Sequence, residues 1–181
     1  MNNRPDLAEV FRTLAEMKEL GVIADYAVGG AVAAIFYSEP RETFDLDIFF
    51  LIGKEPSSPL ARLESIYEYG RSKGLPVESE FIQIGGWSVQ FLEAYSPLRA
   101  DAVKQARTLS LEGTSVRVID PEFLAAMMIE TGRNKDWIRL TDFFESNVLD
   151  AERFETILQK YGLSDTWEQQ KWRLGGSAGT D

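Results

Sequence analysis

"YAVGGAVAAIFYSEPRETFDLDIFF", Tyr26 to Phe50, is the stretch on which the reading of the fold turns. A short apolar strand ("VIADYAV") runs into Gly29-Gly30, a small-residue helix start ("AVAAIFY") follows, and a strand rich in β-branched and aromatic residues ("DLDIFFLI") closes it. That last strand opens with two carboxylates one residue apart. Residues two apart on a strand share a face, so Asp45 and Asp47 project together while Leu46 and Ile48 pack on the other side. Adjacent carboxylates repel, and each raises the other's pKa unless a cation lies between them. Magnesium, held by one or two carboxylates plus substrate phosphates, meets that need. Two such ions would clamp the attacking and leaving oxygens of a phosphoryl transfer. The glycine pair suits the same chemistry, because it ends a strand, lets backbone approach closely and leaves N–H groups facing a phosphate. Taken singly, Gly-Gly reads as a tight turn and Asp-x-Asp as a solvated strand edge. Their order, strand, Gly-Gly, helix, loop, Asp-x-Asp, strand, favours a site for a nucleoside triphosphate.

Composition narrows the chemistry. The chain has 181 residues, 44% of them hydrophobic, enough for one domain with a real core. It contains no cysteine and no histidine. Disulfides, Ser-His-Asp and Cys-His catalysis and His- or Cys-ligated zinc are therefore excluded, and a metal must be held by oxygen, which favours Mg2+ or Mn2+. The absence of cysteine fits the cytoplasm. No apolar run approaches a membrane span, and "MNNRPDLAEVF" lacks the pattern of a signal peptide. A net charge of -10, from 29 acidic and 19 basic residues, argues against DNA binding through bulk charge.

Outside the opening stretch, residues 6–20 and 59–73 carry helical spacing, the latter with Leu60, Leu63, Ile66 and Tyr67 on one stripe. The Pro/Ser-rich "GKEPSSP" reads as a turn. "VESEFIQIGGWSVQFLEA" predicts two strands joined at Gly85-Gly86, and "RTLSLEGTSVRVI" a second hairpin turning at Glu112-Gly113. Between them "SPLRADAVKQA" is a helix capped by Ser96. From Asp120 onward four helical segments follow. The expected organisation is an α/β core over residues 1–119, a helical part over 120–174 packed on it, and a loose tail over 175–181. "TGRNKDWIRL" brings Arg133, Lys135 and Arg139 together, as a phosphate contact or as a solvated turn with an Asp-Lys pair. Met127-Met128, Trp87, Phe91 and Trp137 read chiefly as core, the aromatics with base stacking as the alternative.

The run "VGGAVAAIFY…RETFDLDIFF" resembles the signature of the DNA polymerase β-like nucleotidyltransferase superfamily. Arg41 and Thr43, just before Asp45, look like its small bacterial branch related to AbiEii-type toxins, and "EFLAAMMIETGRNKDWIRLTDFF" is similar to that branch's helical half. The resemblance covers roughly residues 20–145. It implies an α/β (α+β) fold, a small mixed sheet flanked by helices, with a helical C-terminal part. It also implies a Mg-dependent nucleotidyltransferase that moves NMP from an NTP to a hydroxyl on a protein, RNA or small molecule. Asp45 and Asp47 would be catalytic metal ligands, and Gly29, Gly30, Arg41, Thr43, Arg133 and Lys135 would bind phosphate. A toxin–antitoxin or phage-defence setting, with a cognate protein partner, follows by analogy. One departure stands out. Active members usually carry a third carboxylate on a later strand, and here that position falls on Gln90, whose amide has no useful basicity. Glu80 or Glu78 on the preceding strand are the substitutes if the register brings them close, with Glu93 a further option. A non-catalytic domain that binds a nucleotide or a protein is the alternative reading.

Overall fold

A computed structural model describes residues 5–38, 43, 45–52, 59–111 and 113–175. The Gly-Gly/Asp-x-Asp unit is the centre of its sheet. Strand β1 (Ile23–Val28) leads through Gly29 into a short helix, α2 (Gly30–Ile35), and the chain returns as β2 (Asp45–Ile52). The two strands pair antiparallel, with Val28 opposite Ile48 and Ile23 opposite Ile52. The hairpin expected at Gly85-Gly86 joins β4 (Phe81–Ile84) to β5 (Trp87–Glu93); both glycines have positive φ, which a two-residue type I′ turn demands. Strand β5 then lies parallel to β2, on the side away from β1.

A third strand, β3 (Val77–Glu78), precedes β4 and pairs with it antiparallel. The continuous strand expected over "VESEFIQI" is thus broken by a turn in which Ser79 takes φ 54°. The second hairpin pairs β6 (Arg107–Leu111) with β7 (Thr114–Val118), and Glu112 at its tip lies outside the described residues, as do residues 53–58 of the Pro/Ser-rich turn. Val118 of β7 pairs parallel with Val28, giving a mixed sheet of order β3-β4-β5-β2-β1-β7-β6. Alternation on β2 decides what each face does. Leu46 and Ile48 are fully buried, and Phe50 meets Phe91 edge-on at 6.4 Å, whereas Asp45 and Asp47 face the other way.

Helices α1 (Leu7–Glu19) and α4 (Pro97–Lys104) contact the sheet, and α3 (Pro59–Ser72) contacts β3. Asp6 caps α1 by accepting from the Ala8 and Glu9 amides, and Ser96 caps α4 by accepting from the Arg99 amide. Helix α5 (Pro121–Thr131) is buried along almost its whole length and touches α2, α4, α6 (Asn134–Glu145) and α7 (Ala151–Lys160). A last helix, α8 (Ser164–Gln170), runs into a 3-10 turn at Lys171–Gly175.

Asp120 stands at the residue where the helical part begins, and it does not cap α5. Its buried carboxylate instead accepts a charge-assisted hydrogen bond from Arg153 on α7. The Arg107 Nε of β6 lies 2.6 Å from its other oxygen, an ion pair outside hydrogen-bond alignment. Both arginines are partly exposed, so water takes up their charge once the carboxylate is gone and the loss is that of a charge-assisted hydrogen bond. Asp120→Ala is therefore expected to cost about 1.5–3 kcal/mol of unfolding free energy in a urea titration.

Candidate functional site

Gly29 and Gly30 are glycines because β2 lies against them. The Gly29 amide donates to the Asp47 carbonyl at 2.9 Å, which pins the turn to the strand. A Cβ at Gly29 would lie 2.4 Å from the Phe49 ring. Gly30 has φ +58°, and a Cβ there would lie 1.8 Å from Asp47 Oδ2. The turn and the second aspartate thus share one small space. The Gly29 N–H is committed to backbone, and Gly30 and Ala31 are the turn residues that line the cleft.

That cleft, about 660 Å³, has the Asp-x-Asp face as its floor. Thr43, Asp45 and Asp47 line it from β2 and its approach, and Gln90 and Leu92 line it from β5. Thr43 donates its hydroxyl to the Asp45 carbonyl at 3.2 Å. Arg133, Lys135, Asp136 and Arg139 close it from the α5–α6 corner. Arg41 lies outside the described residues. A second hollow of about 400 Å³, beside α7, has its cations already engaged: Arg153 with Asp120, Lys160 with Asp101.

Parallel pairing makes Asp47 and Gln90 direct neighbours across β2 and β5, with Asp45 beside Ser88. Gln90 therefore occupies the place beside the aspartates where a third carboxylate was expected. Glu78 and Glu80 are exposed, and they lie on the far side of β5, at the sheet edge formed by β3 and the turn into β4; neither lines the cleft. Glu93 does line it, but its carboxylate is held by Arg62 Nη1 at 2.7 Å. Among the described residues no group of three or more Asp, Glu, His or Cys could share one ion. The donor set is two aspartates and an amide carbonyl. It fits a hard cation that takes its remaining ligands from water and phosphate, as magnesium does, and does not fit an all-protein cage.

Electrostatics agree. The Asp47 carboxyl is pushed above its usual value, first by burial and then by the Asp45 charge, against the pull of Lys135, Arg139 and Arg133. A carboxyl whose folded pKa is raised binds protons more tightly folded than unfolded. Without cation, stability is then expected to fall as pH rises from 3.8 through the raised value. Asp47→Asn should remove that decline and make the metal-free protein more stable at neutral pH, read as melting temperature against pH.

The expected Asp-Lys pair is not what forms at the α5–α6 corner. Asp136, 1% exposed, is gripped by Arg133 through Nε at 2.7 Å and Nη2 at 3.0 Å, and it accepts the Thr131 hydroxyl at 2.9 Å. Among the described residues Lys135 makes no ion pair, and it faces the cleft. Phe91 lies in the core on the other face of the sheet, and Trp87 and Trp137 do not line the cleft. Met127 and Met128 do, together with Leu124, although both are under 10% exposed. Sequence reasoning missed Tyr95 and Arg99, which also line the cleft. Tyr95, 75% exposed, has Arg99 over its ring at 4.9 Å, and Arg99 is anchored by Glu130 at 2.7 Å. The i, i+4 spacing of Tyr95 and Arg99 was the available signal.

No family model matches the chain, and no curated protein does. Solved structures do. The antibiotic-resistance factor ANT(2'')-Ia in solution superposes with a TM-score of 0.52 at 16% identity, over 90% of this chain and 94% of that one. An antigenic nucleotidyltransferase-like protein from Paracoccidioides brasiliensis gives 0.52 at 17% identity, over 92% and 90%. A crystal structure of ANT(2'')-Ia in complex with adenylyl-2''-tobramycin gives 0.50 at 16%, over 84% and 94%. The chain thus has the nucleotidyltransferase fold, a seven-stranded mixed sheet flanked by helices. No helix among the described residues is long and apolar enough to cross a membrane.

Proposed function

We propose that this protein is a magnesium-dependent nucleotidyltransferase that moves a nucleoside monophosphate from a nucleoside triphosphate to an acceptor hydroxyl and releases pyrophosphate. The observation that carries the reading is the contact between Gly30 and the Asp47 carboxylate inside a cleft that basic side chains close from above. Asp45 and Asp47 hold the cation. When bound, that cation supplies charge neutralisation across the phosphates. Gly30 and Ala31 offer backbone to the triphosphate, and Lys135, Arg133 and Arg139 oppose its negative charge. The acceptor oxygen attacks the α-phosphorus, the bond to the bridging oxygen breaks, and pyrophosphate leaves in line. Gln90 orients through its carbonyl and accepts no proton, so the hydroxyl proton passes to solvent.

The adenylylated aminoglycoside bound to the structural neighbour makes ATP the first nucleotide to try. An AbiEii-like place in a toxin–antitoxin or phage-defence pair is the setting we favour, and the acidic surface suits a basic partner. Nucleotide binding without transfer is the second reading, and Gln90 is the residue that favours it. Incubation with α-labelled ATP and GTP, magnesium and cell extract separates the two. Label on an acceptor, lost in Asp47→Asn, supports transfer; bound but untransferred nucleotide supports the second reading.

A further inference from the structure

Asp136 presents a problem for any purely structural account. A carboxylate this buried is costly unless its charge is compensated and its lone pairs are used. Its compensation comes from Arg133, whose own side chain is 58% exposed and lines the cleft. Two parallel N–H···O bonds hold the guanidinium in one plane, and the Thr131 hydroxyl, shared with the Met127 carbonyl at 2.7 Å, lies 2.9 Å from the same carboxylate. Gly132 between them takes φ +64° and ends α5, which turns the chain so that Thr131 and Arg133 meet the same side chain. The fork uses Nε and Nη2 and leaves Nη1 directed elsewhere. The guanidinium also feels the Asp47 charge, and Asp47 feels it in return.

From this geometry we infer that Asp136 is a positioning residue: it holds Arg133 rigid at the rim of the cleft so that the guanidinium meets the nucleotide's phosphates without an ordering cost. This rests on the nucleotide-binding reading above and adds a requirement to it. A free arginine loses rotamer entropy when fixed, and the fork removes most of that loss beforehand. Asp136 is 1% exposed, and in this role it acts on the nucleotide through Arg133.

The test is a double-mutant cycle on Mg-ATP binding by calorimetry, with AMP titrated in parallel and melting temperature recorded for each protein. Arg133→Ala is expected to weaken Mg-ATP about tenfold. Asp136→Asn should reproduce most of that loss, and the double variant should bind no worse than Arg133→Ala alone. AMP, which lacks the β- and γ-phosphates, should be nearly indifferent to all three. Asp101→Asn, which breaks an ion pair with Lys160 away from the cleft, serves as the control and should leave both affinities unchanged. If Asp136→Asn lowers the melting temperature but leaves Mg-ATP affinity at the wild-type value, or if its effect adds fully to that of Arg133→Ala, the positioning role is wrong while nucleotide binding stands. If Arg133→Ala binds Mg-ATP as the wild type does, the phosphate contact itself is wrong. If the wild type binds no Mg-ATP, both this inference and the reading beneath it fail.

Discussion

Gly30→Ala is expected to lower Mg-ATP affinity by roughly the 10–100-fold seen when a metal site's support is disturbed, in a protein that still folds. Two effects combine. The residue sits at φ +58°, where any side chain costs about 1 kcal/mol or more, and its new Cβ would lie 1.8 Å from Asp47 Oδ2 and 3.0 Å from Asp47 Cβ. The carboxylate tip can rotate away, so the fold survives, but only by abandoning the position that faces the cleft. Gly29→Ala makes a useful contrast. Its backbone is extended at φ −122°, and its Cβ would strike the ring of Phe49, which is 8% exposed, packs in the core and borders the cleft. That variant should lose stability by about 1–3 kcal/mol through overpacking. Thermal melts and calorimetry together distinguish them: Gly29→Ala moves mainly the melting temperature, Gly30→Ala mainly the affinity.

Gln90→Glu carries the second large effect, in the opposite direction. It places a carboxylate directly across from Asp47 in the β2–β5 ladder, on the face that lines the cleft. Without cation three neighbouring carboxylates repel, so the variant should melt below the wild type in chelator. With magnesium the order should reverse, because the added charge binds the ion that relieves it. A positioned base is worth about 10²–10⁴-fold in rate. Label transfer from α-labelled ATP should therefore rise by at least tenfold if the acceptor hydroxyl lies over β5. Unchanged transfer with tighter magnesium binding would place the acceptor on another side of the aspartates.

What could be read from the chain and what could not divide along a physical line. The Asp-x-Asp face was legible because strand alternation is local: Leu46 and Ile48 must go one way if Asp45 and Asp47 go the other. The glycine turn and both hairpins were equally local, set by φ preferences within a few residues. Gln90 could be suspected but not placed, since its pairing with Asp47 depends on β5 lying parallel beside β2, across 43 residues of sequence. Glu78 and Glu80 look suitable in a line of text, yet the turn at Ser79 and the edge position of β3 keep them from the cleft. The Arg133–Asp136 fork was hidden by the nearer Lys135, which has the charge for a pair but not the planar geometry. Asp120 stands at the start of α5, where an aspartate commonly caps, and only the return of α7 shows that Arg153 claims it instead.

The most direct test of the account is a calorimetric titration of the wild-type protein with ATP, with and without magnesium, alongside Asp45→Ala/Asp47→Ala. Saturable binding that requires magnesium and disappears in the double variant is the predicted result; no binding by the wild type, or binding that the double variant keeps, would contradict it.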